Sequence, residues 1–269
     1  MLQAEDIHFC IRQRPIVKKA SISVNPGEIL AVLGPNGAGK STLFKILAGE
    51  ISCTRGQVDY NGQNLRALKT QQLASVRAVM PQHSTVSFPF TAREVVELGL
   101  PKDSKKNSEK NIREVMELTK VQHLEDRLYQ QLSGGEKQRV QLARVLIQIW
   151  EKKPFPRYLL LDEPTSSLDI SQQHIVLDIL KKLKSQNIGV LIVLHDLNLA
   201  AHYADRIAIV KDGLIAGVGK VEEVYSEALL SEVFDHPIRL VKDQETQQIL
   251  VSSNSAFHSE LKISKQAQA

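Results

Sequence analysis

Five apolar residues, 29–33, run into Gly34-Pro35-Asn36-Gly37-Ala38-Gly39-Lys40-Ser41, and a helix-forming stretch over 40–47 carries the chain to Gly49. No other segment constrains the fold so tightly. The eight residues satisfy the pattern G-x-x-x-x-G-K-[ST] at every fixed position, between a predicted strand and a predicted helix. Glycines let backbone N–H groups converge on phosphate oxygens with no Cβ in the way. The helix N-terminus adds a favourable partial charge. Lys40 is expected at the β- and γ-phosphates and the Ser41 hydroxyl on Mg²⁺, with Thr42 beside it on the nucleotide. The alternative is an ordinary Gly-rich turn; the Lys-Ser pair and the flanking elements argue against it.

The rest of the chain repeats this alternation. Apolar runs at 157–161, 190–194 and 206–210 read as strands, and 172–184 as a helix. Continuous apolar strands alternating with helices predict an α/β fold whose parallel-rich sheet is covered on both faces. With 269 residues and 42% hydrophobic composition, the chain is long enough to bury a sizeable core. The net charge of +4 is too small to argue for nucleic-acid binding. Cys10 and Cys53 lack metal-ligand spacing, so neither a zinc site nor a disulfide framework is expected. The first residues carry no basic segment leading into an apolar one, and no apolar run approaches the roughly 18 residues of a bilayer span. An intracellular protein that does not itself cross a membrane is the expectation.

Residues 90–150 read differently. Thr91 is a plausible N-cap, and Ile112, Val115, Met116 and Leu118 recur at helical spacing within 108–119. A helical subdomain inserted into the α/β core is expected there, with the polar run 102–106 as a solvated loop. The tail after Lys242 is polar except for 248–251 and is expected to fray after Ser255.

A second acidic element matches the phosphate loop. Leu159-Leu160-Leu161-Asp162-Glu163 is an apolar strand ending in two carboxylates, at the sheet edge where α/β proteins place ligands. Asp162 suits Mg²⁺, directly or through water. Glu163 is positioned to accept a proton from the attacking water or to orient it; a helix cap or a surface carboxylate is the plainer alternative.

Leu132-Ser133-Gly134-Gly135-Glu136 resembles the LSGGQ signature of ATP-binding cassette (ABC) ATPases, with Glu136 in place of the commoner Gln. Gln82 matches that family's Q-loop glutamine, Ser166-Ser167-Leu168-Asp169 its D-loop, and His195 its H-loop histidine. The resemblance covers about residues 2–240. It implies a P-loop NTPase core with an inserted helical subdomain at about 90–150 and an N-terminal antiparallel β region, followed by a partly disordered extension over 241–269. It implies ATP hydrolysis with Mg²⁺ held by Ser41, Gln82 and Asp162, and Glu163, His195 and Gln82 as catalytic residues. Gly34 to Thr42 would line one side of the nucleotide. Ser133, Gly134, Gly135 and Asp169 would face the nucleotide of a second copy, docked head to tail. A helix over 136–149 would carry the signature. The family's adenine-stacking aromatic has no counterpart: Ile11 stands at that position, with Phe9 two residues early, so apolar contact from Ile11 or from the Arg12 stem would replace stacking.

Three functions are open to such a chain. Soluble ABC machines acting on DNA carry long coiled coils between phosphate loop and signature, and ribosome-acting ones usually carry two cassettes; neither feature is present. A regulator without turnover is disfavoured by Glu163 and His195. A transporter subunit remains, peripheral on the cytoplasmic face of the inner membrane. Its partners would be a permease dimer, whose short helix docks between core and helical subdomain, and, indirectly, a periplasmic substrate-binding protein. The helix before Gly99 resembles importers of the iron-chelate and cobalamin type. The Phe88-Pro89-Phe90-Thr91 segment within 80–96 and the long join over 148–158 look closer to hemin importers. A ferric siderophore or cobalamin is the alternative cargo.

Overall fold

The computed structural model describes residues 1–82, 86–101, 108–166 and 168–253. His83, Ser84, Thr85, the lysine run at 102–106, Ser167 of the D-loop and the tail beyond Ser255 lie outside the described residues.

The chain begins with the hairpin β1 (Leu2–Ile11) and β2 (Arg14–Val24), then enters β3 (Ile29–Leu33) and α1 (Lys40–Ala48). Next come β4 (Arg55–Tyr60), β5 (Gln63–Asn64), α2 (Thr70–Val76) and β6 (Arg77–Met80). Three helices follow, α3 (Ala92–Glu97), α4 (Ser108–Leu118) and α5 (Gly134–Ile149), and then β7 (Arg157–Asp162) and α6 (Ile170–Leu183). The chain continues through β8 (Ile188–Val193), α7 (Leu197–Tyr203), β9 (Arg206–Lys211) and β10 (Leu214–Gly219). Two short helices, α8 (Val221–Val224) and α9 (Glu227–Phe234), lead to the hairpin β11 (Ile238–Lys242) and β12 (Ile249–Ser253).

A six-stranded sheet in the order β10-β9-β3-β8-β7-β6 forms the centre. All its pairings are parallel except β10 with β9. The expected α/β sheet is present, and so is the expected antiparallel region, a four-stranded sheet in the order β2-β1-β4-β5. Because side chains alternate along a strand, each central strand feeds two cores. Ile29, Ala31 and Leu33 of β3 join one core with Leu159 and Leu161 of β7. Leu30 and Val32 join the other, with Tyr158 and Leu160. The first core holds α3 to α7; the second holds α1 and the antiparallel sheet. Burial on both faces is why these strands read as unbroken apolar runs.

Helix ends follow local chemistry. Thr91 caps α3 by accepting from Glu94 N–H, and the Glu94 carboxylate accepts from Thr91 N–H. α1 stops at Gly49, which adopts the left-handed conformation (φ 74°) and returns its N–H to Ile46 and Lys45. The signature helix differs from expectation. It begins at Gly134, with Ser133 as its cap.

The long join between α5 and β7 is firmly built. Arg157 is buried, and its guanidinium donates to the carbonyls of Ile149, Trp150, Glu151 and Gln186. Carbonyls rather than a carboxylate partner the two terminal nitrogens of this buried cation, its Nε has no hydrogen-bond partner, and burial pulls its pKa down. Gln148 donates to the carbonyls of Ala74 and Arg77, tying the join to α2 and β6. At the far end, the hairpin β11–β12 rests on α7: Asn198 donates to Val251 O and accepts from Val251 N–H.

Candidate active site

Strand order assembles the site. Across the sheet, β3, β8, β7 and β6 are successive parallel neighbours, so their C-terminal ends lie side by side. β3 leads into Gly34–Ser41, β8 into His195, β7 ends in Asp162 beside Glu163, and β6 leads to Gln82. Residues far apart in sequence therefore reach one edge.

The phosphate loop is a backbone cradle. Gly34 adopts φ 147°, and a Cβ there would fall 2.1 Å from the Val210 carbonyl oxygen. A Cβ on Gly39 (φ 102°) would fall 2.7 Å from the Ile16 carbonyl oxygen. Only glycine lets the loop press this closely on β2 and β9. α1 has no side-chain cap and no acidic residue in its first turn, so its leading N–H groups stay available for an anion. The Lys40 side chain curls back over the loop and donates to the carbonyls of Gly34 (2.8 Å) and Pro35 (2.9 Å). Its ammonium is buried, which lowers its pKa, against the opposing pull of Glu163 and Asp162.

Asp162 is 5% exposed, and its Oδ1 has no hydrogen-bond partner. Burial, then the neighbouring Glu163, push its carboxyl pKa up. A buried carboxylate oxygen left unpaired beside a lysine fits a divalent cation, the partner that would offset its desolvation. Ser41, in the first turn of α1, supplies a hydroxyl of the matching hard-oxygen type.

Glu163 is the convergence point. Gln82 Nε2–H donates to Glu163 Oε2 (2.7 Å), and His195 Nε2 lies 2.6 Å from Glu163 Oε1. An ionised carboxylate offers about four acceptor sites, so two remain for a water. Glu163 also adopts φ 51°, a left-handed conformation that costs a non-glycine residue roughly 1–2 kcal/mol. Strain of this kind persists where the surrounding structure over-determines it, and the Glu163 carbonyl accepts from both Ser166 N–H and Ser166 Oγ–H in the turn that follows.

The signature residues are engaged by their own helix. Ser133 Oγ accepts from Glu136 N–H (3.4 Å), and Glu136 Oε2 accepts from both Ser133 N–H and Ser133 Oγ–H (2.8 Å each). These hydrogen bonds lower the Glu136 carboxyl pKa. Asp169 caps α6, accepting from Gln172 N–H (2.8 Å).

Comparison with known proteins decides the family. A model of the ABC transporter family matches residues 17–166. The hemin import ATP-binding protein of Gloeobacter violaceus is 51% identical over 224 residues, which cover 81% of this chain and 82% of that protein. The chain belongs to the ABC transporter family. Among solved structures, a chain of a transporter described as of the metal-chelate type, in an inward-facing conformation, superposes with a TM-score of 0.78 at 25% identity, covering 96% of this chain and 98% of that one. A dimeric bacterial ABC transporter cassette superposes with a TM-score of 0.69 at 25% identity, covering 82% and 99%. As an ABC transporter ATP-binding subunit, the protein is an ATPase that binds ATP.

Two contacts of this ABC ATPase escape a motif search. Gln138 Nε2–H donates to Pro164 O (2.7 Å), tying the signature helix to the turn that carries Glu163. Arg139, buried, donates to Gln172 at the start of α6. Both positions directly follow the signature pentapeptide, which was the available signal. A groove of about 600 Å³ lies between α2 and the helical region, lined by Ala74, Leu98, Leu100, Arg144, Gln148 and Lys153 among others. Leu98 is 58% exposed beside it. Phe88 is 68% exposed and lies against Phe90 with ring centroids 5.9 Å apart. Among the described residues, no helix is long and apolar enough to cross a membrane.

Proposed function

We propose that this ATPase drives heme (hemin) uptake as the energy-coupling subunit of an importer. The single observation behind the cargo is the 51% identity to a hemin import ATP-binding protein over four-fifths of the chain. The anchored join at 148–158 supports it, because Gln148, Glu151 and Lys153 line the groove where a permease would dock. The test is growth of a strain lacking this gene on heme, a ferric siderophore or free iron salts as sole iron source. Loss of growth on heme alone, rescued by wild type and not by Glu163→Gln, is the expected result. Normal growth on heme with loss on a siderophore overturns the cargo.

In this reading residues 1–240 are the ATPase unit, with about 90–150 as its helical subdomain, and 241–269 are an extension. Two copies meet head to tail, so that Ser133, Gly134, Gly135 and Asp169 of one copy approach the nucleotide of the other. A permease dimer docks a short helix in the groove beside Leu98, on the cytoplasmic face of the membrane. A periplasmic binding protein delivers the cargo to that permease.

The chemistry follows from the side chains. Phosphate oxygens are charged acceptors, stronger than the Gly34 and Pro35 carbonyls, so the Lys40 ammonium transfers to them. The free N–H groups of α1 take further phosphate oxygens, and Thr42 adds a hydroxyl. Ser41, Asp162 and Gln82 would hold a Mg²⁺, which would supply neutralisation of charge on the phosphates. Glu163 accepts the proton of the attacking water, while the Gln82 and His195 contacts hold its carboxylate in place. Gln82 follows β6 at the border of the helical region, so a change at Glu163 reaches the groove through it.

Selectivity for the base should be modest. Ile11 is 52% exposed, whereas Phe9 packs partly into the second core and is committed there. Base–aromatic stacking is worth about 1–3 kcal/mol, and Ile11→Tyr should recover part of it as tighter ATP binding and a larger ATP-over-GTP preference. Unchanged affinity and preference, measured by competition with a fluorescent nucleotide, would remove Ile11 from the base site.

A further inference from the structure

The signature of this chain carries an anion where the phosphate of the opposing copy would arrive. The Glu136 carboxylate accepts both the N–H and the O–H of Ser133 at 2.8 Å. In the head-to-tail reading Ser133 faces the nucleotide of the other copy, and its hydroxyl is the donor that the γ-phosphate there would meet. A hydroxyl has a single proton to donate, so Ser133 Oγ–H serves either Glu136 or the phosphate. The two anions also repel each other. Glu136 has no ion-pair partner within 4 Å among the described residues. Arg139 in its own helix and Arg127 act on it at longer range, and the Arg139 guanidinium is turned to Gln172. The charge at Glu136 is therefore only partly offset.

We infer that Glu136 is an intramolecular competitor of the γ-phosphate for the Ser133 hydroxyl, and that it raises the ATP concentration needed to close the dimer. The inference rests on the head-to-tail reading above. It makes Glu136 a positioning residue: it touches neither nucleotide nor water and acts through Ser133. Its effect is to keep the two copies apart at low ATP, so that closure demands a high nucleotide level or added binding energy from a loaded permease.

Glu136→Gln isolates the charge. The amide oxygen still accepts from Ser133 N–H, so the helix cap is kept, while as a neutral acceptor it competes more weakly for Ser133 Oγ–H and the negative charge is gone. In a Glu163→Gln background, where closed dimers accumulate, the ATP concentration for half-maximal dimer is read by analytical ultracentrifugation with and without Glu136→Gln. The expected result is a roughly five- to tenfold lower half-saturating ATP, in line with loss of a repulsion between close charges. The gap should narrow at high salt, as screening requires. The thermal midpoint of the nucleotide-free protein should stay within a few degrees, which separates loss of charge from loss of cap. An unchanged or higher half-saturation overturns the proposal alone. Absence of any ATP-dependent dimer in the Glu163→Gln protein overturns the head-to-tail reading, and this proposal with it.

Discussion

Glu163→Gln should lower the ATPase rate by about 10²–10³-fold while leaving ATP binding close to wild type, because a positioned general base contributes on that scale. The amide keeps the shape and one acceptor oxygen, so one of the two contacts that Gln82 and His195 make to the carboxylate is kept while an N–H faces the other, and it takes no proton from water. Lys40 and the α1 N-terminus are untouched, so the nucleotide stays bound. On the head-to-tail reading, in which hydrolysis releases the closed pair, the variant should also run as an ATP-dependent dimer on size-exclusion chromatography. Turnover near the wild-type rate would remove Glu163 from the role of base.

Ser133→Arg should be nearly as damaging to turnover, by a different route. Losing a preorganised donor to developing charge typically costs about 10²–10³ in rate, and the bulky side chain also obstructs the approach of the second copy. Binding of ATP to the isolated subunit should hardly change, because the described contacts of Ser133 are within its own helix and not with the phosphate loop. Weakened monomer affinity, measured by equilibrium dialysis, would argue that the signature serves its own nucleotide. Ser133→Arg also removes the cap of a sixteen-residue helix, a loss of about 1 kcal/mol, so its thermal midpoint belongs beside its activity.

Much of the central sheet was legible because its strands are buried on both faces and leave unbroken apolar runs. The helix after the phosphate loop was legible from Lys40 to the glycine that ends it. Other elements were not. α2 has no buried residue, so it leaves no apolar stripe to read. The hairpin that begins at Ile238 was split between a core boundary and a polar tail, because only one of its strands contains a conspicuous apolar run. The signature helix starts two residues earlier than its apolar pattern suggests. Glycine is a poor helix former, yet the Ser133–Glu136 capping box fixes the start at Gly134. That S-x-x-E signal was present in the sequence, and Glu136 read only as a departure from the signature hides it. The meeting of Gln82, Glu163 and His195 depends on strand order, which no local pattern encodes, and the left-handed backbone at Glu163 has no glycine to announce it.

The central claim is that a working site takes its phosphate loop from one copy and its signature from the other. Mixing purified Ser133→Arg with Lys40→Ala subunits and measuring ATP hydrolysis tests it directly. Each variant alone should be inactive. In a mixed dimer, the intact phosphate loop of the Ser133→Arg copy faces the intact signature of the Lys40→Ala copy, so one working site forms and activity returns. A mixture as inactive as its two components would contradict the shared site.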